Sequence, residues 1–180
     1  MTIENQSREN VDQEILRLRD RFGDFAIEHT TVENEPSYFI EGQKRAQQGW
    51  VGDAGAWVTD ASNRVLLIRH EDTPNTWGTP GGGHEPDETL TETARREVRE
   101  ETGIDCSLTD VFWARRKIIV NKVNPDQRIH MLTVEFEGIY EAGSINISDD
   151  EVLEARWFTE PPDQFGDFLT EKINQWEQNR

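Results

Sequence analysis

The feature that most constrains this chain is a glycine run, residues 81–83, followed closely by a strong helix-forming segment over residues 89–103. On a helical wheel, the apolar side chains of this segment form one stripe, made of Leu90, Ala94 and Val98. Glu97 and Glu101 fall within the same stripe, whereas a helix that only needs solubility places its acids on the opposite face. The fold must therefore bury this helix against a core with carboxylates at the border.

Three glutamates of this helix, Glu97, Glu100 and Glu101, share one edge. Their charges repel each other, and they lose hydration where they border the core. A divalent cation such as Mg²⁺ or Mn²⁺ relieves both penalties, because these ions prefer carboxylate oxygens. The alternative is a solvated charged face built from i,i+4 ion pairs, for which Glu92, Arg96 and Glu100 have the right spacing. Helical periodicity alone leaves both interpretations open.

The glycine run favours the first interpretation. Glycines allow the backbone to approach a ligand closely, and their N–H groups can face an anion. The run also leads into the N-terminus of a helix, where negative charge is favoured. Glycines alone are common in flexible loops, but glycines followed by a helix with clustered carboxylates indicate a metal ion held beside a phosphate.

The spacing of these residues resembles the signature of the Nudix (MutT-like) hydrolases. The matching positions are Gly82, then after five residues Glu88, then after seven residues Arg96-Glu97-Val98, and finally Glu100-Glu101 and Gly103-Ile104. Every fixed position and both aliphatic positions of the signature are filled. The resemblance implies an α/β fold of the α+β type over about residues 50–165, an α/β/α sandwich with a mixed β-sheet.

The resemblance also implies an enzyme that hydrolyses a nucleoside diphosphate linked to another moiety, with Mg²⁺ or Mn²⁺ as cofactor. Glu97, Glu100 and Glu101 match the metal-binding carboxylates of the family. Either one of these three or a glutamate from a distant loop is implied as the general base. In such a site the cation neutralises the phosphates and lowers the pKa of water, and a carboxylate takes the proton.

Other positions of the signature are implied to shape the loop and the helix. Arg96 and Glu88 match residues whose side chains pair to brace this region, and Gly103 ends the helix. Gly82 matches the glycine of the tight loop, and we expect Gly82 and Gly83 to bind the substrate. Apart from the helix stop, these roles follow from the resemblance and not from residue type.

Many members of the family add a carboxylate from the loop before the last core strand. In this chain that loop is SDDEVLEARWFT, residues 148–159, and Glu151 lies six residues before Trp157, which resembles the matching position. Glu151 is therefore predicted to be catalytic, with Glu154 and Asp150 as rivals. The alternative is that all three are surface acids, which this sequence has in abundance.

Arg115, Arg116 and Lys117 form a basic run on a predicted strand after the helix. A local positive charge in an acidic chain could bind a phosphate or carboxylate of the substrate. Alternation along a strand places Arg116 opposite its two neighbours, so the three side chains cannot all face one site. Arg116 is the candidate for a substrate contact, and pairing with surface acids is the alternative.

His84, within the glycine-rich loop, is interpreted either as structural or as a substrate contact.

The charge of the chain limits its partners. With 36 acidic and 19 basic residues the net charge is −17, and such a surface repels nucleic-acid polymers and anionic membranes. We therefore expect a small nucleoside diphosphate derivative as the ligand.

The composition also resembles that of cytoplasmic proteins from halophilic archaea. In these proteins molar salt screens the repulsion between the many acidic side chains. An ordinary acidic mesophilic protein is the alternative.

The sequence also predicts a cytoplasmic location. No apolar run approaches the roughly 18 residues of a membrane helix, and the first residues carry acids where a secretion signal has an apolar core. A single cysteine, Cys106, excludes an internal disulfide framework and a cysteine zinc cluster.

Periodicity divides the 180 residues into an N-terminal extension, residues 1–48, and a main domain, residues 49–180. The extension is predicted to be a helix, a strand and a short helix, and homodimerisation through it is an option that the sequence leaves open. The main domain is predicted to contain an apolar hairpin, the box helix, strands over 111–120 and 128–140, a further short strand, and a final helix opened by Pro161 and Pro162.

Substrate identity depends on residues outside the signature. The candidates are ADP-ribose or a related nucleotide sugar, and normal or oxidised nucleoside triphosphates. The alternative to an enzyme is a Nudix-fold module that senses a nucleotide without cleaving it. Such modules usually lose one or more of the signature glutamates, and this chain keeps all of them, which favours the enzyme.

Overall fold

The structure of the chain is a computed structural model that describes residues 1–179. The helices are α1 (Ile3–Phe22), α2 (Pro36–Gln47), α3 (Leu90–Thr102) and α4 (Thr170–Gln178), with a 3₁₀ turn at Asp167–Leu169 directly before α4. The strands are β1 (Glu28–Asn34), β2 (Gly52–Thr59), β3 (Val65–His70), β4 (Trp77–Gly78), β5 (Gly81–Gly83), β6 (Ile104–Asn121), β7 (Asn124–Gly143) and β8 (Val152–Phe158). Helices and strands alternate irregularly along the chain, as expected for an α+β protein.

The strands form one eight-stranded sheet with the order β1-β6-β7-β2-β3-β4, to which β5 is added on β2 and β8 on β3. Strand β1 runs parallel to β6, whereas β3 is antiparallel to β2, β4 and β8. The sheet is therefore mixed, which confirms the predicted fold class. Within residues 1–179, no helix is long and apolar enough to cross a membrane.

The chain packs as two compact units, of which the first contains residues 1–54, 83–93 and 113–135. The core of this unit is formed by Phe39, Ala46, Trp50, Ile119, Ile129 and Met131, with Ile3 packed against them. The N-terminal residues thus share a core with strands β6 and β7, which the sequence analysis assigns to the main domain. The domain boundary between residues 48 and 49 stays a prediction.

The second unit contains residues 55–82, 94–112 and the residues from 136 onward. Its core is formed by Trp57, Val65, Leu67, Leu169, Ile173 and Trp176. Strand β8 pairs with β3 over its whole length, from Phe158 opposite Val65 to Val152 opposite His70. This pairing brings the loop before β8 to the end of β3.

The last helix begins later than the sequence predicts. Pro161 and Pro162 do not open it, because the chain first forms backbone hydrogen bonds with strand β4. The N–H of Trp77 donates to the carbonyl of Gln164, and the N–H of Gly166 donates to the carbonyl of Trp77, each at 3.0 Å. Residues 164–166 are therefore held beside β4, and helical turns start only at Asp167.

Strands β6 and β7 are longer than predicted, with 18 and 20 residues, and only Lys122 and Val123 lie between them. Asn121 closes this tight connection. Its side-chain amide donates to Gln127 at 2.7 Å, and its side-chain oxygen accepts from the N–H of Val123 at 3.1 Å. Residues 121–127, which lie between the two predicted strands, are therefore mostly strand.

Candidate active site

Helix α3 carries the glutamates that the sequence singles out. Its apolar stripe is fully buried, since Leu90, Ala94 and Val98 are 0% exposed. Glu97 and Glu101 lie one turn apart within this stripe and are 9% and 3% exposed. The structure thus confirms that the helix buries two carboxylates at the border of the core.

The glycines before α3 make room for these two carboxylates. The backbone N–H of Gly81 donates to Oε2 of Glu101 at 2.7 Å. A Cβ atom built on Gly82 would lie 2.6 Å from both Cδ and Oε1 of Glu97, which is closer than real Cβ contacts allow. Gly82 is therefore needed because the Glu97 carboxylate packs directly against its α-carbon.

Burial and negative neighbours raise the pKa of both buried glutamates. The pKa of Glu101 rises from 4.5 to about 8, mainly by desolvation and further by the charges of Glu97, Asp149 and Glu151, although the Gly81 N–H opposes the shift. Burial likewise raises the pKa of Glu97, against the favourable contact with Arg96. For Glu97, burial thus outweighs the positive charge of Arg96.

Glu100, the third predicted metal ligand, shares the partner Arg96 with Glu97. Its Oε2 lies 3.0 Å from Nη1 of Arg96, which also contacts Oε1 of Glu97 at 2.8 Å. This i,i+4 pair is what the charged-face interpretation of the helix predicts for Arg96 and Glu100. Across residues 1–179, no three His, Cys, Asp or Glu side chains are arranged to hold a metal ion, so a three-glutamate metal site stays a prediction.

The loop before β8 brings Glu151 to the same unit as these glutamates. Both backbone polar groups of Glu151 are hydrogen-bonded. Its carbonyl accepts from the N–H of Glu71 at 2.8 Å, and its N–H donates to Oδ1 of Asp149 at 2.9 Å. Its side chain is 65% exposed, and Oε2 lies 3.3 Å from Nε2 of His70. The carboxylate is thus accessible to solvent while its backbone is fixed.

Asp149 is a candidate site residue that the sequence analysis missed. Its charge raises the pKa of both Glu97 and Glu101, whereas that of Glu151 contributes only to the shift at Glu101. The acidic run SDDE, residues 148–151, is a sequence signal that includes Asp149. Within this run, however, the distance of six residues to Trp157 favours Glu151. The rival Glu154 forms ion pairs with Arg69, at 2.5 Å, and with Arg156.

In the first unit, the basic run is divided as strand alternation predicts. Arg116 pairs with Asp12 of α1 at 2.6 Å, and Arg115 pairs with Glu28 of β1 at 2.9 Å. The structure therefore places Arg116 in the alternative role, an ion pair with a surface acid. Its contact with substrate stays a prediction.

Lys117, the third residue of the run, acts on Asp53 at the start of β2. Burial raises the pKa of Asp53, although the positive charges of Lys117 and Arg45 oppose the shift. A Cβ atom on Gly83 would lie 2.9 Å from Nη2 of Arg45 and 3.8 Å from Oδ1 of Asp53. Sequence reasoning missed Arg45 and Asp53, because neither belongs to a motif and nothing in the sequence signals that two residues so far from Gly83 along the chain lie beside it.

Both ring nitrogens of His84 are hydrogen-bonded in the first unit, as its structural interpretation predicts. Its Nδ1 accepts from the N–H of Val51 at 3.4 Å, and Nε2 lies 2.6 Å from the carbonyl of Glu88, to which it therefore donates. The Glu88 side chain in turn accepts from Thr93 Oγ1 at 2.9 Å and from the N–H of Glu85 at 3.3 Å. Glu88 thus braces the loop against the start of α3, and its pairing with Arg96 stays a prediction.

Gly103 ends α3 as predicted. It adopts a φ of 77°, and a Cβ atom there would lie 2.7 Å from the carbonyl oxygen of Ser144. Its N–H donates to the carbonyl of Arg99 at 2.8 Å. Both the left-handed backbone and the close approach require glycine at this position.

Comparisons with known proteins identify the family. Residues 50–177 match the family model described as NUDIX domain. The chain is 34% identical over 90 residues to nucleoside triphosphatase NudI of Enterobacter sp. (strain 638), covering 48% of this chain and 63% of that one. It is 38% identical over 68 residues to human nucleoside diphosphate-linked moiety X motif 6, covering 37% of this chain and 22% of that one. The chain thus spans less than two thirds of the length of these relatives.

Solved structures share the fold at low identity. A MutT protein from Methanosarcina mazei Go1 aligns with a TM-score of 0.52 and 21% identity, over 72% of this chain and 94% of that one. An ADP-ribose pyrophosphatase from Streptococcus suis aligns with a TM-score of 0.50 and 22% identity, over 71% and 90% of the two chains. The NUDIX domain of Shewanella oneidensis NrtR, solved with ADP ribose, aligns with a TM-score of 0.50 and 19% identity, over 72% and 87%. Because the family match over residues 50–177 takes in well over half of the 180 residues, the chain belongs to the NUDIX domain family.

Proposed function

We propose that this chain hydrolyses a phosphoanhydride bond in a nucleoside diphosphate linked to another moiety, with Mg²⁺ or Mn²⁺ as cofactor. The observation that carries the proposal is the buried pair Glu97 and Glu101 beside Gly81 and Gly82. Family membership supports it, since Gly82, Glu97 and Glu101 fill signature positions.

The donor set fits a hard divalent cation. Glu97 and Glu101 present carboxylate oxygens that burial has desolvated, and Asp149 adds a third negative charge to their surroundings. These residues would hold the ion, with Glu100 joining them if it left Arg96. When bound, the cation would neutralise phosphate charge and lower the pKa of water.

Glu151 is the proposed general base. It is more exposed than the helix glutamates, so that a water molecule can reach it, and its backbone is fixed by Glu71 and Asp149. A carboxylate in this position can accept the proton of the attacking water. Gly82 and Gly83 would allow the phosphates to approach the backbone closely.

The substrate is proposed to be a small nucleotide derivative, either ADP-ribose or a nucleotide sugar, or a nucleoside triphosphate. The NudI relative is named a nucleoside triphosphatase, whereas two of the structural neighbours are named for ADP-ribose. The net charge of −17 also disfavours nucleic-acid polymers as ligands.

A nucleotide panel tests the proposal. Phosphate-product release is measured in high KCl with ADP-ribose, other nucleotide sugars, dinucleoside polyphosphates, NADH, and normal and oxidised nucleoside triphosphates, with and without Mg²⁺ or Mn²⁺. Cleavage of one class that depends on the metal is the expected result. No cleavage by folded protein contradicts the proposal and favours a nucleotide-sensing module.

Charge-removing variants test the site. Glu101→Gln and Glu100→Gln are each expected to lower turnover at least about 100-fold while the fold survives, since shape is kept. Glu177→Gln, an exposed glutamate on α4, is the matched control and should retain wild-type turnover. Near-wild-type rates in both helix α3 variants would contradict the metal assignment.

A further inference from the structure

Strand β8 has a bulge of one extra residue where it pairs with the end of β3, beside His70. In the pairing of β3 with β8, Arg69 lies opposite Glu154, but the next residue, His70, lies opposite Val152, so Leu153 is skipped. Such a bulge re-aims the side chains around it. The ring of His70 contacts the Glu151 side chain in the loop before β8.

The hydrogen bonds of the ring define its tautomer. The backbone N–H of Asp72 donates to Nδ1 of His70 at 3.3 Å, so Nδ1 is the acceptor and the proton resides on Nε2. Nε2 lies 3.3 Å from Oε2 of Glu151 and therefore donates to it. The Asp72 carboxylate is 3.7 Å from Nδ1, which is beyond hydrogen-bond distance.

This contact limits the orientations of an exposed side chain. The backbone of Glu151 is held by Glu71 and Asp149, but the backbone does not determine the three side-chain torsions of an exposed glutamate. Ordering those torsions costs conformational entropy each time the carboxylate is used. A hydrogen bond donated by His70 to Oε2 lowers that cost, because it favours one orientation of the Glu151 carboxylate before substrate binds.

From this geometry we propose that His70 is a positioning residue that orients the Glu151 carboxylate through the Nε2–H hydrogen bond. This inference rests on the proposed function, in which Glu151 accepts the proton of the attacking water. His70 acts through Glu151 and contacts no reacting atom. Its removal therefore lowers kcat while KM stays nearly constant.

A double-mutant cycle tests this role, with the full chain and the nucleotide that the panel identifies. His70→Ala should lower kcat about tenfold with KM within about twofold of wild type. His70→Gln keeps an N–H donor and should recover most of the loss. In a Glu151→Gln background, adding His70→Ala should change kcat less than about twofold.

The control is His29→Ala, an exposed histidine on β1, which should leave kcat unchanged. An equal loss from His70→Ala in both backgrounds overturns the proposal, because His70 would then act independently of Glu151. No loss in the wild-type background overturns it as well.

A measurement that does not depend on catalytic turnover separates this inference from the proposed function. Long-range ¹H–¹⁵N spectra of the full chain, assigned with His70→Gln, report which ring nitrogen of His70 carries the proton. We expect the proton on Nε2 and a shifted Nε2 resonance in Glu151→Gln. A proton on Nδ1, or an unchanged resonance, overturns the contact. If the folded protein cleaves none of the nucleotides on the panel, the proposed function is overturned. The positioning role of His70 in catalysis is then overturned as well, whatever the spectra show.

Discussion

Glu14 of α1 accepts a hydrogen bond at 2.9 Å from the backbone N–H of Leu90, the first residue of α3. Glu14 is 4% exposed, and its second oxygen accepts from Arg17 at 2.6 Å. The first N–H groups of a helix lack partners within the helix, and a carboxylate is favoured there. The N-terminal helix thus caps the helix that carries Glu97 and Glu101.

Replacing Glu14 should therefore destabilise the fold. Glu14→Ala leaves the buried N–H of Leu90 without its acceptor and should lower the free energy of unfolding by about 2 kcal/mol. Glu14→Gln keeps an acceptor and should lose less. Urea unfolding measures both, with Glu9→Ala on the exposed side of α1 as the control. Equal stability of Glu14→Ala and Glu9→Ala would contradict the capping role.

The contact between Gly82 and Glu97 gives a second prediction. Gly82→Ala places a methyl group 2.6 Å from the Glu97 carboxylate, which must move away from its position. We expect turnover to fall at least about 100-fold, since a misplacement of about 1 Å can have that effect. Gly78→Ala is the matched control, because nothing lies within 4 Å of its added Cβ. Comparable kcat in the two variants would show that Glu97 need not be held there.

The raised pKa of Glu101 predicts how stability depends on pH. A carboxyl group with a pKa of 4.5 when unfolded and about 8 when folded binds more protons in the folded state between these values. Its contribution to stability is full below pH 4.5 and is lost as the pH rises through about 8. Thermal unfolding from pH 5 to 9 measures this slope, which Glu101→Gln should flatten.

Mg²⁺ or Mn²⁺ should restore the stability that the protein loses as the pH rises, because the ion binds the ionised carboxylate of Glu101. The rise in Tm on adding the ion should be larger at pH 9 than at pH 6, and it should be small at both in Glu101→Gln. A rise in Tm that is independent of pH would argue against Glu101 as a ligand.

The cations near Asp53 give a prediction about substrate binding. Lys117 and Arg45 act electrostatically on Asp53, which lies near Gly83, whereas Arg116 pairs with Asp12. Lys117→Ala and Arg45→Ala should therefore raise KM for the nucleotide about tenfold, as expected for the loss of one charged contact. Lys44→Ala, the exposed neighbour of Arg45, should leave KM unchanged. Unchanged KM in the first two variants would contradict this role for Lys117 and Arg45, and a rise only in Arg116→Ala would support the predicted substrate contact of Arg116.

The net charge of −17 predicts a dependence on salt. Because ions at about 1 M screen charges beyond roughly 3 Å, the free energy of unfolding should rise with KCl into the molar range. Urea unfolding at increasing KCl measures this rise. Replacing the exposed acids Glu9 and Glu160 with Gln should reduce its slope. Full stability in dilute buffer would count against adaptation to high salt.

The local pattern of the sequence determined several elements. The stripe of Leu90, Ala94 and Val98 predicts α3 and its buried face, because helical periodicity depends only on neighbouring residues. The same spacing places Glu97 and Glu101 at the border of the core. The stop at Gly103 and the mixed fold class follow from residue type and element order. The family was identified from these residues, and residues 50–177 confirm it.

Tertiary structure decided which partner each charged side chain takes. In a chain with 36 acids, spacing cannot tell that Arg116 pairs with Asp12 or that the charge of Asp149 acts on Glu97 and Glu101. These choices depend on which residues distant in sequence the sheet and the helices bring within a few ångströms. The late start of α4 has the same origin, because hydrogen bonds from Trp77 override the helix-start signal of two prolines. The capping of Leu90 by Glu14, 76 residues away, likewise exists only in the folded chain.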